Sequence, residues 1–206
     1  MRINKKKFIY LISPNRIYPD FYHDLNQVLR TGKVALFQLR LKKYSLKQKI
    51  VIGKKIQQIC KKNNVKIIVN DDPQLSKTLN AEGCHLGQKD MDIKNARKII
   101  GKKIIGVTCH NSIKLAKAAI NGKADYIAFG AFFSTKTKKV KFKADIKILN
   151  KIKKLTKTPI VAIGGINFDN YKKLLLNNAN LLAISSYVWN NKKYKPFETI
   201  ENLNED

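Results

Sequence analysis

Acids, cations, hydroxyls and glycines recur in this chain at the ends of short apolar runs, in combinations suited to phosphate chemistry. The segment "QLRLK" sets Gln38, Arg40 and Lys42 at alternating positions, which an extended backbone turns to one side. Arg40 stands out because arginine supplies only five of the 42 basic residues, and this one ends an apolar run. "VNDD" offers Asn70, Asp71 and Asp72, and "HLGQKD" ends in Asp90. Later come Thr108 and His110, then Thr135, Thr137 and Lys138 within "FSTKTKK", the pair Gly164–Gly165 and the pair Ser185–Ser186. Carboxylates near Arg40 and Lys42 suggest a Mg²⁺ site beside a cationic phosphate cradle, because Mg²⁺ is usually held by one or two carboxylates plus substrate phosphates. Glycines allow backbone amides to approach an anion closely.

These residues can meet only if the apolar runs share one edge. The runs are "FIYLIS" (8–13), "ALFQLR" (35–40), "KIIVN" (66–70), "GCHLG" (83–87), "IIGVT" (104–108), "YIAFGAF" (126–132), "IVAIGG" (160–165) and "LLAISS" (181–186). Their length and Val, Ile and aromatic content predict strands buried on both faces. Between them lie amphipathic stretches with helix-end chemistry. "DIKNARKIIG" stops at Gly101, "SIKLAKAAING" opens on Ser112 and stops at Asn121-Gly122, and "FDNYKKLLLNN" opens near Asp169. Alternation of strand and helix implies a parallel sheet with right-handed crossovers, and eight units are the number that closes a barrel. The expectation is therefore an α/β fold: a single compact (β/α)8 TIM barrel spanning 1–206, with the active face where strands run into helices.

The bulk properties narrow the class. A net charge of +28 favours anionic partners and raises encounter rates with phosphorylated substrates. The lysines are spread along the whole chain, which reads as solvated helix faces before it reads as a nucleic-acid footprint. No apolar run approaches a membrane span. The opening "MRINKKKFIYLIS" places basic residues before an apolar patch, but Pro14 follows at once without a small-residue cleavage site, so it reads as a first strand. The expected location is the cytoplasm, with small phosphorylated molecules as partners, no specific nucleic acid and no membrane; a homo-oligomer is compatible with all of this. Cys60, Cys84 and Cys109 show no paired spacing, and the expectation is reduced, partly buried thiols.

Plainer roles exist for each residue taken singly. A lone lysine is commonly solvated surface. Asp71 and Asp72 precede Pro73 and suit a turn and helix cap, Asp90 or Asp92 suits an N-cap, and mid-strand His85 suits a packed core. The joint placement after strands two to six and eight is what points to a site.

Taken together, "QLRLK", "VND", "HLGQKDM", "IIGVTCH", "FSTKTKK", "VAIGGIN" and "AISS" resemble, in order and spacing, the thiamine-phosphate synthase family over roughly residues 8–189. The resemblance implies a transferase that joins hydroxymethylpyrimidine diphosphate to hydroxyethylthiazole phosphate, with Mg²⁺ as cofactor. It implies that Gln38, Arg40, Lys42 and Asn70 hold the pyrimidine diphosphate and that Asp71 and Asp90 bind the metal. Thr108 stands where the family usually has a serine that contacts the pyrimidine. Lys138 would hold pyrophosphate, and Thr135, Thr137, Gly165, Ser185 and Ser186 the thiazole phosphate. Arg40, Lys42 and Lys138 would be the catalytic cations of a dissociative mechanism.

Departures from the family pattern are Leu41 in place of an acid, Ala131 and Ser134 in place of prolines, and Asn180 in place of an aspartate. One alternative is the related thiazole tautomerase, for which a histidine is expected where this chain has Ala131. Another is a degenerate basic barrel that binds without catalysis.

Overall fold

A short apolar strand has no stable edge of its own, so these segments are stable only when each is paired on both sides. The computed structural model describes residues 6–134 and 143–204. Among them the order is β1 (Ile9–Ile12), α1 (Phe21–Arg30), β2 (Val34–Leu39), α2 (Leu46–Lys62), β3 (Lys66–Asn70), α3 (Pro73–Thr78), β4 (Gly83–Leu86), α4 (Ile93–Ile100) and β5 (Ile104–His110). The order continues with α5 (Ile113–Asn121), β6 (Tyr126–Gly130), α6 (Lys147–Lys153), β7 (Ile160–Ile163), α7 (Tyr171–Leu176), β8 (Leu181–Ile184), α8 (Ser186–Trp189) and α9 (Pro196–Glu201). The strands pair in parallel in chain order, and β8 returns to β1 to close the barrel. The expected fold class is the one observed.

Alternation along each strand divides two apolar layers. Tyr10, Leu36, Ile68, Tyr126, Ala128, Val161 and Leu181 fill the barrel interior. Leu11, Phe37, Val69, Ile127, Phe129, Ala162 and Leu182 face outward and pack with the buried sides of the helices. Helix starts follow side-chain chemistry: Ser45 and Gln48 form a reciprocal cap on α2, and Asp72, Asp92 and Ser112 accept backbone N–H bonds at the starts of α3, α4 and α5. The seventh helix begins at Tyr171, later than the sequence suggested. The reason is local: Asn170 Oδ1 accepts the Asn167 N–H and its Nδ2 donates to the Gly165 carbonyl, so it stabilises the preceding loop and makes no side-chain cap.

Strands six, seven and eight end earlier than the apolar runs do, at Gly130, Ile163 and Ile184. The glycine pair therefore belongs to a mouth loop, and the serine pair to the start of α8, where Ser185 is the N-cap and Ser186 the first helical residue.

At the opposite end of the barrel three side chains accept an N–H from the first or second residue of a neighbouring strand. Glu82 accepts from Ile67, Asp125 from Ile105 and Asn180 from Ile160, at 2.8–2.9 Å. Asn180 thus supplies through an amide oxygen the acceptor that an aspartate would supply through a carboxylate. Asp125 is also paired with Arg97 at 3.0 Å. Leucine at position 180 would leave the Ile160 N–H without its partner. We expect Asn180→Leu to lower unfolding free energy in urea by about 1–3 kcal/mol. Asn180→Asp should stay within about 0.5 kcal/mol of the wild type, as substitutions that keep a bond do; equal losses in the two variants would show that the acceptor does not matter.

Candidate active site

The mouth is assembled largely from residues one to four positions beyond the strands. Ser13 ties three strand exits together. Its Oγ accepts the Arg40 N–H at 2.9 Å and donates to the Arg40 carbonyl at 3.2 Å, while its own carbonyl accepts from Ser185 Oγ at 3.3 Å. Only 3% of Ser13 is exposed, and sequence reasoning passed over it. Its small hydroxyl, immediately before Pro14, was the available signal.

Across the mouth, Lys42 Nζ lies 2.9 Å from Asp71 Oδ2. Asp71 has a left-handed backbone (φ +64°), a conformation that aspartate tolerates better than most residues, and its N–H donates to the His85 carbonyl at 2.8 Å. Its neighbour Asp72 caps α3 through a 2.9 Å bond from Leu75 N–H, so the two adjacent acids divide the two roles suggested by the sequence. The same division separates Asp90 from Asp92. Asp92 caps α4, while Asp90 Oδ2 accepts the Gly87 N–H at 2.7 Å inside its own turn.

The Asp71 and Asp90 carboxyls lie close enough to shift one another's titration. Burial alone would raise the Asp71 pKa, but hydrogen bonds from Lys42 and Asp90 and the Lys42 charge outweigh it and hold Asp71 below the usual carboxylate range. Asp90 moves the other way, raised by burial and by the proximity of Asp71 despite the Gly87 N–H. Two carboxyls facing each other across a gap offer hard oxygen donors to one divalent cation. Among the described residues no group of three or more His, Cys, Asp or Glu side chains gathers to hold a metal, so the pair suits an ion that keeps water and substrate oxygens as its other ligands.

Two clefts flank this cluster. One, of about 470 Å³, is lined by Lys42, Asn70, Asp71, Leu41 and Met91 among others. Leu41 is buried in the apolar layer under the helices, so an acid is replaced there by packing. The other, of about 280 Å³, brings Ser185 and Ser186 together with Arg16, Lys43 and Trp189. Arg16 and Lys43 are further cations that the sequence left unmarked, because one follows a proline turn and the other sits among many lysines.

Inside the barrel a polar chain links two of the expected substrate contacts. Gln38 Nε2 donates to the Tyr10 hydroxyl at 2.8 Å, and the Tyr10 and Tyr126 hydroxyls are 2.8 Å apart. Tyr126 then meets His85 Nδ1 at 2.9 Å, and His85 Nε2 meets Thr108 Oγ1 at 2.8 Å. The Tyr126 ring crosses above Gly106, where a Cβ would stand 1.8 Å from a ring carbon. Burial pushes the His85 pKa down to about 4 and both tyrosines well up, so all three are neutral near pH 7. His85 is a buried histidine, as expected, but it is also bonded directly to Thr108.

Gly164 and Gly165 take left-handed φ values of +104° and +64°, and a Cβ on Gly165 would meet the Ser134 carbonyl at 2.3 Å. The pair therefore packs against the backbone at the start of the "FSTKTKK" loop. Thr135, Thr137 and Lys138 lie outside the described residues. The three cysteines are free and buried, and burial lifts Cys84 and Cys109 to about 12.

Residues 9–188 match the family model described as thiamine monophosphate synthase. The chain belongs to this family. A thiamine-phosphate synthase of Pelagibacter ubique is 65% identical, with 98% of this chain and all of that protein covered. One from Erythrobacter litoralis is 40% identical over 88% of this chain and 87% of that protein. A solved thiamine phosphate pyrophosphorylase from Pyrococcus furiosus superposes with a TM-score of 0.83 at 28% identity, covering 96% of this chain and 94% of the other. The 3-hexulose-6-phosphate synthase of Salmonella typhimurium, at 16% identity and TM-score 0.68, shares the fold. Within the thiamine monophosphate synthase family the departures at 41 and 180 have structural accounts here: one is packing, the other an equivalent acceptor.

The depressed His85 pKa has a thermodynamic consequence. The folded ring stays neutral down to about pH 4, whereas an unfolded histidine takes a proton below about pH 6.5. The His85 contribution is thus fully present above pH 6.5 and falls away as pH drops towards 4, by roughly 3 kcal/mol in all. Urea unfolding at pH 7, 5.5 and 4.5 should show a steeper loss for the wild type than for His85→Gln. Parallel curves would show that the ring is not held neutral.

Proposed function

We propose that this barrel joins hydroxymethylpyrimidine diphosphate to hydroxyethylthiazole phosphate, releasing pyrophosphate and forming thiamine phosphate, by a dissociative, Mg²⁺-assisted route. The observation that carries the reading is the mouth cluster of Lys42, Asp71 and Asp90 beside the buried chain from Gln38 to Thr108. Phosphate-binding cations, a carboxyl pair and a neutral hydrogen-bonding pocket stand together, as family membership leads one to expect.

Loss of the diphosphate leaves a pyrimidine-methyl cation, which the thiazole nitrogen captures. Such a route asks the protein for charge neutralisation and position, not for a nucleophile. Arg40, Lys42 and Lys138 are assigned to the leaving diphosphate, with Arg40 held by the Ser13 clasp and Lys42 by Asp71. Asn70 lines the cleft that Lys42 and Asp71 share. Asp71 and Asp90 would hold Mg²⁺, which when bound supplies positive charge to the phosphate oxygens. Thr135, Thr137, Gly165, Ser185 and Ser186 are assigned to the thiazole phosphate, and the Arg16 and Lys43 cations lie beside the two serines. The buried thiols, held protonated, stay out of the chemistry.

Among the described residues no helix is long and apolar enough to cross a membrane. We place the enzyme in the cytoplasm, acting on small phosphorylated substrates without a specific nucleic-acid partner; the scatter of lysines along the chain supports this.

Purified protein given both substrates should form thiamine phosphate with Mg²⁺ and stop with excess chelator. Arg40→Ala and Asp71→Asn should each lower kcat by about 100-fold or more, with circular dichroism unchanged. Wild-type turnover in either folded variant would refute the assignment. Lys138→Ala should act chiefly on kcat; an effect confined to the KM for the thiazole would move that lysine to the other substrate.

A further inference from the structure

β2 ends at Leu39, yet the alternation of its side chains runs on. Gln38 reaches Tyr10 in the barrel interior, while Leu39 and Leu41 are buried in the outer layer under the helices. Arg40 lies between the two leucines, so its side chain leaves the backbone on the Gln38 side. The aim of the guanidinium therefore depends on what holds the Arg40 backbone, one residue past the end of the strand.

The register shows what an unbroken strand pair would do there. Ser13 N–H donates to the Gln38 carbonyl at 2.9 Å, the ordinary parallel pattern. Continued, that pattern would send the Arg40 N–H to the Ser13 carbonyl and the N–H of residue 15 to the Arg40 carbonyl. But β1 has ended at Ile12, and Pro14 follows Ser13. The Ser13 side chain takes both places instead. Its Oγ accepts the Arg40 N–H at 2.9 Å and donates to the Arg40 carbonyl at 3.2 Å, so one hydroxyl supplies the acceptor and the donor that a longer β1 would have supplied.

The Ser13 carbonyl is thereby left for Ser185, whose hydroxyl donates to it at 3.3 Å. Ser185 is the N-cap of α8 and makes no side-chain cap bond, in keeping with a hydroxyl turned towards β1. From the same short helix Trp189 Nε1 donates to the Ile12 carbonyl at 2.7 Å. Alanine at position 13 would leave the Arg40 backbone two choices. It could lose both partners, or it could move to take the Ser13 carbonyl away from Ser185. Either choice shifts the point from which the arginine side chain starts.

We propose that Ser13 is a positioning residue for Arg40, its hydroxyl replacing the missing strand partner and so aiming the guanidinium at the leaving diphosphate. The aim at the diphosphate rests on the reading of Arg40 given above; the clasp itself does not. Ser13 acts through Arg40 and not by contact of its own, because it is 3% exposed and its hydroxyl hydrogen is spent on the Arg40 carbonyl.

Two measurements test it. Amide hydrogen exchange of the folded, substrate-free protein should speed up at Arg40 by about tenfold in Ser13→Ala, because the bond that protects that N–H is gone. The amides of β5, which Ser13 does not touch, should keep their rates. Calorimetry with pyrophosphate and Mg²⁺ should show binding weakened by about tenfold in Ser13→Ala. Added to Arg40→Ala, the same change should cost less than about twofold more, since residues that act through one another are not additive. Ser13→Cys, whose thiol is a weak donor and acceptor, is the second variant if the alanine protein does not fold. An unchanged Arg40 exchange rate would overturn the clasp. A full further loss of affinity in the double variant would show that Ser13 acts on the structure at large and would overturn the positioning role. Wild-type pyrophosphate affinity in Arg40→Ala would instead remove the reading of Arg40, and the exchange rate would still decide the clasp.

Discussion

Two tyrosine hydroxyls 2.8 Å apart, buried inside a closed barrel, govern what the rest of this molecule can do. A hydroxyl removed from water has to find partners within the protein, and here each finds two. Tyr10 comes from β1 and Tyr126 from β6, on nearly opposite sides of the barrel, so their bond spans an interior otherwise filled by aliphatic side chains. The rings meet edge to face at 5.7 Å, and His85 stacks on Tyr126 at 5.6 Å. Space for this arrangement comes from β5, where Gly106 has no side chain to oppose the ring. The polar interior is thus an extension of the mouth downward into the barrel, and it orients side chains that would otherwise rotate.

Around this centre the mouth shows how one position along a chain changes the work of an acid. Asp71 and Asp72 are adjacent, as are the turn of Asp90 and the cap residue Asp92. In each case one carboxylate neutralises helix N–H groups and the other is left for the opening. The capping acids are not wasted, since a helix whose first N–H groups are unsatisfied would not hold its preceding loop in place. Asp71 needs a left-handed backbone to reach Lys42 and Asp90, and it gains the His85 carbonyl as a partner for its N–H. The carboxyl pair is consequently braced by the same strand that carries the histidine of the buried chain.

Charge enters at two scales. The net charge of +28 is a property of the whole chain and raises the local concentration of phosphorylated molecules without selecting among them. Selection requires cations held in place. Lys42 is paired at 2.9 Å, the Arg40 backbone is clasped by Ser13, and Arg16 and Lys43 stand beside the Ser185–Ser186 pair. Composition reveals the first scale and hides the second, because a lysine that binds and a lysine that is solvated are the same letter.

The amino-acid sequence alone determined the eightfold alternation of strand and helix, since apolar runs of five to seven residues and capped amphipathic stretches are local patterns with local causes. It also determined which loops carry acids, cations and hydroxyls, and the resemblance carried by seven short segments pointed to the family now shown. Only the tertiary structure decided which neighbour in each acid pair faces the mouth, because a cap is recognised by an N–H direction that no spacing reveals. It alone joined Gln38 to Thr108 through Tyr10, Tyr126 and His85, residues up to 116 apart in the chain for a single bond. Read singly, those three suit any apolar core. Their bonding follows from closure of the barrel, which removes water from the interior and leaves each buried polar atom only the others to bond with.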